Sequence, residues 1–287
     1  MKHVFILNSF SNKKIDIMIN KIKDVCNKLD IDYTVEINNN ERSTEDIVKY
    51  YKGKKVILLP VGGDGMINRV VNSMDFKKNI LGFIPYGTGN DFYKSCLEEF
   101  ENGINDCDLS RINDKYFINT CCFGIDADIA NNGDIIHSKL IPKSQRYNAG
   151  LIYTFLKYKN KHMRVYVNGK KYEDDYTTIA ICNGKYYGGG YKIGYFSNLC
   201  DNYLDLYLIP NLKKREMPGL ILGLNKGIQE KDKRIEKLQI RKVLIEGDTD
   251  ITCNIDGEAY TSRKFDIEVL SKKIKIYFDK NLIDMLL

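Results

Sequence analysis

A chain of 287 residues with 43% hydrophobic and 29% charged residues is a folded globular protein, long enough for two domains with cores of their own. Its net charge of +6 lies wholly after residue 118, since residues 1–118 carry 17 basic and 17 acidic side chains, and no regular basic–aromatic interleaving supports nucleic-acid binding. No apolar run approaches the roughly 20 residues of a membrane span, Val4–Leu7 is too short for a signal peptide, and eight cysteines without a Cys-x-x-Cys pair argue against a zinc or redox motif and fit reduced cytosolic thiols.

Strand and helix alternate through residues 1–118. His3–Asn8 reads as a strand, and Ile15–Leu29 places apolar residues at helical spacing. Tyr33–Ile37 is a short strand, and Ser43-Thr44-Glu45-Asp46 caps a helix running to Tyr51. Strand 56–61, helix 66–74, strand 80–84 and helix 90–97 follow, an order that predicts a parallel sheet covered by helices. After residue 118 short strands dominate, at 116–123, 163–167, 177–182, 203–209, 238–246, 251–255, 265–270 and 274–278, with a hairpin turn at Val167-Asn168-Gly169-Lys170. Two helices interrupt them, Ala149–Lys159 and Pro218–Gln229. The expected architecture is an α/β domain followed by an antiparallel sandwich or barrel, with a cleft between.

Two glycine-rich segments carry the chemistry. Gly62-Gly63-Asp64-Gly65 follows the apolar run Val56–Val61, and Gly87-Thr88-Gly89-Asn90-Asp91 follows Ile80–Pro85. Each reads as a turn at a buried strand's carboxyl end, where open α/β sheets bind ligands and where backbone N–H groups at a helix start favour phosphate. Asp64 beside such a turn suggests a metal-bound polyphosphate, because a carboxylate facing bare phosphate would repel it. Either segment alone is also an ordinary turn; the pair points to a nucleotide triphosphate. Gly-x-x-x-x-Gly-Lys-Ser/Thr and an early Gly-x-Gly-x-x-Gly are both absent, so neither a P-loop nor a dinucleotide fingerprint is present. Near the C-terminus Asp256-Gly257-Glu258 closes a strand. A carboxylate there, facing the cleft, suits a general base for phosphoryl transfer to a hydroxyl.

These segments together resemble the diacylglycerol kinase catalytic-domain family, which includes bacterial lipid kinases and sphingosine and ceramide kinases. The resemblance rests on Gly62–Gly65 with Ile67-Asn68, Pro85–Phe92, Gly124-Ile125-Asp126-Ala127, Asn183 with Gly188-Gly189-Gly190, Asp201 with Leu204-Asp205, and Asp256-Gly257-Glu258, in family order over nearly the whole chain. It implies an α/β + β fold: a nucleotide domain over residues 1–118, like that of phosphofructokinase and NAD kinase, and a lipid-offering β-sandwich over 119–278. A tail from about residue 279 would pack back on the first domain. The implied activity is transfer of the γ-phosphate of ATP, with Mg²⁺, to a lipid hydroxyl, diacylglycerol first.

By the same resemblance Asn8 and Asn38 approach the nucleotide, and Gly62, Gly63, Gly65 and Asn68 cradle its phosphates. Asp64 holds the catalytic Mg²⁺ or orients the reacting hydroxyl, Thr88 touches the nucleotide, Asp91 supports the loop and Glu258 is the base. A structural Mg²⁺ would take the Asp201 carboxylate and the main-chain carbonyls of Tyr203 and Asn198. The chain departs from the family at Met66 (usually Thr), at Arg69 (usually Glu) and at Asn202 (usually Gly). Met66 occupies a nucleotide-facing position but has no hydroxyl to donate, and Arg69 reverses a charge near the nucleotide or pairs with phosphate itself. The lipid acceptor implies a cytoplasmic protein visiting the inner membrane face without a span, and the family makes a homodimer plausible. Pro218–Gln229, with its basic flanks, reads as either an interfacial or a core helix. An NAD kinase-like enzyme and a lipid- or nucleotide-binding regulator without turnover remain alternatives.

Overall fold

The computed structural model describes residues 1–8, 12–124, 160–213, 215–216, 219–220 and 223–287. The helix expected over Ala149–Lys159 and most of the Gly124–Ala127 segment lie outside the described residues.

The first half is a parallel sheet. Strands β1 (Lys2–Asn8), β2 (Tyr33–Asn38), β3 (Val56–Gly62), β4 (Ile80–Leu81) and β5 (Ile84–Pro85) run in one direction, with β1 between β2 and β3, and β3 pairing with both β4 and β5. Every residue of β3 is buried, as a strand covered on both faces requires. Helices α1 (Asn12–Lys28), α2 (Thr44–Tyr50), α3 (Asp64–Val71) and α4 (Asp91–Glu99) supply the cover. α2 starts where expected: Ser43 Oγ accepts from Asp46 N at 3.1 Å and Asp46 Oδ2 accepts from Ser43 N at 3.3 Å, a reciprocal cap. The strand expected over 80–84 is split at Gly82-Phe83, where a Cβ on Gly82 would strike the Leu59 side chain.

The second half is antiparallel: β6 (Gly103–Ile112), β7 (Lys115–Phe117), β8 (Thr120–Gly124), β9 (Lys161–Val167), β10 (Lys170–Tyr176), β11 (Thr178–Cys182), β12 (Leu204–Ile209), β13 (Glu236–Ile240), β14 (Lys242–Ile255) and β15 (Glu258–Phe278). Its sandwich-like form comes from β14, whose first half pairs with β9 and whose second half pairs with β8, the register shifting between Glu246 and Ile251. Alternation then sorts the side chains. Cys121, Phe123, Ile179, Ile181, Leu204 and Leu206 enter the inner core, while Cys122, Ala180, Cys182 and Tyr207 face a smaller outer cluster. β15, 21 residues long, joins the halves: it pairs antiparallel with β14 and β6 and, at Ile276, parallel with β4. A last helix, α6 (Lys280–Leu286), puts Leu282, Ile283 and Leu286 into the N-terminal core.

The second half differs most from expectation. β6 and β10 are strands the hydrophobic pattern did not show. β6 holds buried Asp108 in its middle, and β10 (Lys-Lys-Tyr-Glu-Asp-Asp-Tyr) is an edge strand pairing with β9 alone. The strand expected over 116–123 breaks at Ile118-Asn119, whose amides turn to a side chain instead of a ladder. The three strands expected over 251–278 merge into β14 and β15. Of the single helix expected over Pro218–Gln229, the described residues Gly219, Leu220 and Gly223 are helical; a 3₁₀ turn at Leu224–Lys226 and the short helix α5 (Ile228–Lys231) follow, separated by Gly227 at φ 67°. No helix among the described residues is long and apolar enough to cross a membrane.

One core detail gives stability a pH dependence. His3 on β1 is 8% exposed, its ring nitrogens make no well-aligned hydrogen bond although the Met1 and Asp32 main chain lies beside them, and its ring meets Tyr277 edge-on at 5.3 Å. Burial lowers its pKa from the ordinary histidine value. Below about pH 6.5 the unfolded chain therefore takes up a proton that the folded chain refuses. That contribution is absent above pH 6.5 and lowers stability as pH falls through 6.5 toward the folded-state value. Urea unfolding at pH 7.5 and 5.5 is expected to show a smaller acid-side loss in His3→Leu than in the parent; equal losses would refute the assignment.

Candidate active site

The two glycine motifs meet because their strands are neighbours. β3 ends on Gly62 and β5 on Pro85, paired to each other, so Gly63 and Gly87 face across the sheet's carboxyl edge. A Cβ built on Gly63 would stand 3.3 Å from Gly87 Cα, and one on Gly87 would collide with the Gly63 backbone. Only glycine permits this approach. On the other side β1 ends on Asn8 and β2 on Asn38, in register, and Asn38 Nδ2 donates to Asn8 Oδ1 at 2.9 Å and to Thr44 Oγ1 at 3.1 Å. The four strand ends thus form one edge carrying Asn8, Asn38, both glycine turns and the exposed Thr88.

The carboxylates of the motifs bind the motifs to each other. Asp64, the first residue of α3, accepts from Asp91 N at 2.9 Å and Phe92 N at 3.0 Å, the first amides of α4. Burial raises the Asp64 pKa while those two N–H groups pull it down. Asp91 is 6% exposed and accepts from Gly189 N at 2.8 Å and Lys94 Nζ at 3.1 Å, which docks the Gly188–Gly190 loop onto α4. Asn90, at φ 52°, takes an N–H from Gly87 and donates to the carbonyls of Gly87 and Pro85.

The third motif arrives from the far end of the chain. Asp256, 4% exposed, accepts from Ile118 N at 2.7 Å, Thr120 N at 2.9 Å, Asn119 N at 3.0 Å and Asn68 Nδ2 at 3.3 Å. Burial pushes its carboxyl up to about 6 against the pull of these donors. The β14–β15 hairpin is thereby pinned to α3, and Glu258 reaches the first glycine motif: a Cβ on Gly65 would lie 2.8 Å from Glu258 Oε1. Arg69 Nη2 donates to the same oxygen at 3.1 Å, with both side chains more than a third exposed.

Residues 2–113 match the family model of the diacylglycerol kinase catalytic domain, and residues 119–278 match that of the YegS C-terminal NAD kinase beta sandwich-like domain. The chain belongs to the diacylglycerol kinase catalytic-domain family. A protein of Yersinia enterocolitica described as "Probable lipid kinase YegS-like" is 27% identical over 235 residues, 77% of this chain and 78% of that one. One of Shewanella frigidimarina with the same description is 26% identical over 242 residues, 77% of this chain and 75% of that one. Among solved structures a diacylglycerol kinase from Bacillus anthracis has the same fold, with a TM-score of 0.77 over 98% of each chain at 18% identity. The enzyme class is therefore lipid kinase, a kinase family that implies use of ATP and usually of a divalent metal.

Several of the expected residues also have partners within the protein. Asp64, expected to hold Mg²⁺ or the hydroxyl, accepts one α4 amide on each carboxylate oxygen, which leaves each oxygen a further lone pair. Asn68 was to cradle phosphate; it is 5% exposed and its amide goes to Tyr116 O and Asp256. Met66 is 5% exposed with its sulfur against Gly62, so it faces the core rather than a nucleotide. Arg69, read as a phosphate neighbour, pairs with Glu258. No role followed from the sequence for Asp256, Asn90 or Gly189; an asparagine in a glycine-rich turn, a residue type that tolerates positive φ, and the triple glycine were the available signals.

At the second expected metal site, Asp201 Oδ1 accepts from Tyr203 N at 2.9 Å, and Asn198 Oδ1 accepts from Cys200 N at 2.8 Å. Burial holds the Asp201 carboxyl above the ordinary aspartate range, and the nearby Asp108 carboxylate adds to it. Two carboxylates in proximity suit a cation between main-chain carbonyls and Asp201. Among the described residues no set of three His, Cys, Asp or Glu side chains is gathered for a metal, so a site here would rely on backbone oxygens.

Asp256→Asn leaves one acceptor oxygen for four donors and turns an NH₂ toward backbone N–H groups. The expected cost is about 2–4 kcal/mol of folding stability, read as a lower urea midpoint. An unchanged midpoint would show that the Asp256 carboxylate does not hold the hairpin.

Proposed function

We propose that the protein transfers the γ-phosphate of ATP to the hydroxyl of a lipid, diacylglycerol giving phosphatidic acid, with Glu258 as general base. The observation that carries this reading is the meeting of Glu258 with Gly65 at the edge where both glycine motifs end. A kinase that acts on an alcohol needs bound phosphates, an excluded or well-ordered solvent and a proton acceptor beside the hydroxyl. Gly62, Gly63, Gly65 and Thr88 would line the phosphates, with Asn8 and Asn38 beside the nucleotide. Residues 1–118 would carry the nucleotide and 119–278 the lipid.

The proton of the alcohol would pass to a Glu258 carboxylate oxygen as the alkoxide oxygen bonds to the γ-phosphorus and the bond to ADP breaks. Arg69 would release Glu258, or share it, as the hydroxyl enters. Mg²⁺ would supply charge neutralisation on the phosphates. A second, structural Mg²⁺ would be held by Asp201 with the carbonyls of Tyr203 and Asn198. The lipid acceptor places the protein in the cytoplasm, transiently at the inner membrane face, as a possible homodimer.

The test is transfer of labelled γ-phosphate from ATP with Mg²⁺ to diacylglycerol, other lipid alcohols in mixed micelles, and NAD. Label is expected in diacylglycerol, falling about 10²–10⁴-fold in kcat for Glu258→Gln with ATP binding retained. Label on NAD alone would replace the lipid reading with an NAD kinase. Undiminished turnover in Glu258→Gln would remove Glu258 as the base.

A further inference from the structure

All eight cysteines are free thiols, and six of them belong to the packed interior without an evident task. Cys107 and Cys200 differ. Cys107, on β6, is wholly buried, whereas Cys200, in the turn before β12, is partly open to solvent. Their sulfurs lie close enough to bear on each other's ionisation. Each also reaches the other's backbone: Cys107 Sγ lies 3.3 Å from Leu199 O and Cys200 Sγ lies 3.1 Å from Asp106 O. The two chain segments are joined beside them by Asp108 N donating to Leu199 O at 2.8 Å. Each sulfur thus lies against the segment that carries the other, on adjacent hydrogen-bonded stretches of chain, the setting in which a disulfide asks least backbone movement.

A second pair gives a comparison within the same molecule. Cys121 and Cys253, on the paired strands β8 and β14, also lie close to each other, but both are wholly buried in the sandwich core. Access, rather than proximity, separates the two pairs, and oxidation follows access.

We infer that Cys107 and Cys200 form a reversible disulfide when the protein meets a hydroperoxide. The Cys200 sulfur attacks the peroxide oxygen, the O–O bond breaks, and water or an alcohol leaves with the displaced oxygen, giving a sulfenic acid. The Cys107 sulfur then attacks that sulfur, the S–O bond breaks and water leaves. Two thiols lose two electrons and two protons, and one peroxide is reduced. A dithiol reductant reverses the bridge by exchange. The bridge fastens β6 to the Leu199–Tyr203 turn, which already holds the end of α4 through Leu199 N on Glu99 Oε2 at 2.7 Å. Oxidation thus stiffens the support of the helix that begins at the second glycine motif.

The native protein is treated with hydrogen peroxide, alkylated, digested without reductant and analysed by mass spectrometry. The expected product joins the Cys107 and Cys200 peptides with loss of two hydrogens, returns to free thiols with dithiothreitol, and unfolds at a higher temperature than the reduced protein. Cys200→Ser and Cys200→Ala should yield no bridge, while Cys253→Ser should bridge as the parent does. Peroxide treatment that leaves both thiols free, that takes Cys200 to sulfinic acid without a cross-link, or that joins Cys121 to Cys253 first would overturn the inference.

Discussion

The edge where the glycine motifs end depends on one buried carboxylate. Asp256 gathers three consecutive backbone amides from the β7–β8 turn and the side-chain amide of Asn68 from α3. A charged acceptor makes each of these bonds stronger than a neutral one would, and the low-dielectric surroundings strengthen them further. The hairpin above it has φ 49° at Asp256 and 94° at Gly257, the conformation that an Asp-Gly turn adopts to match strand twist. Glu258 follows directly, so its distance from the first glycine motif is set by the carboxylate two residues before it. Among the described residues, the other hydrogen bond from the hairpin to α3 is the exposed Arg69–Glu258 contact.

The glycine motifs follow the same logic on a smaller scale. Gly63 and Gly87 bring backbone against backbone, and Asp64 then bridges to the first amides of α4. The helix dipole and the two N–H donors act together on that carboxylate. A negative charge already seated at this helix start competes with any phosphate for the same amides, so under the proposed function phosphate contacts would fall to the turn backbone and to Thr88. Asp91 extends the chain of support to Gly189. Asp64, Asn68 and Asp91 each also tie together the framework that aligns the turns.

The alternating strands and helices of the first half were legible because parallel strands buried on both faces are continuous apolar runs, and because Ser43 and the glycine turns mark the element ends. The meeting of three motifs at one edge was legible only through resemblance. The second half was read less well. β6 carries Asp108 at its centre, fully buried because Asn202 and Lys272 amides satisfy it, so no hydrophobic alternation announces the strand. β10 is an edge strand of charged residues, which local pattern cannot tell from a loop. The break at Ile118-Asn119 depends on Asp256, more than 130 residues away; no local signal records a partner so distant. The partners of Asp64, Asn68 and Met66 within the protein were illegible for a related reason: motif membership says where a residue sits, while its contacts decide which way it faces.

Arg69 is the departure with the most direct bearing on the proposed chemistry, and magnitude decides its effect. Its contact with Glu258 is single, at 3.1 Å, between side chains 44% and 40% exposed. Ion pairs of that exposure contribute about 0–1 kcal/mol and weaken further with salt. Freeing Glu258 to accept a proton therefore costs less than the roughly 1.4 kcal/mol that changes a rate tenfold. A buried, doubly bonded pair at this place would hold the carboxylate ionised and immobile; this one leaves it able to turn between a guanidinium and a hydroxyl. An arginine where the family usually has glutamate is thus compatible with a working base, and its positive charge beside the glycine turns lies on the side where a phosphate would lower rather than raise the electrostatic energy.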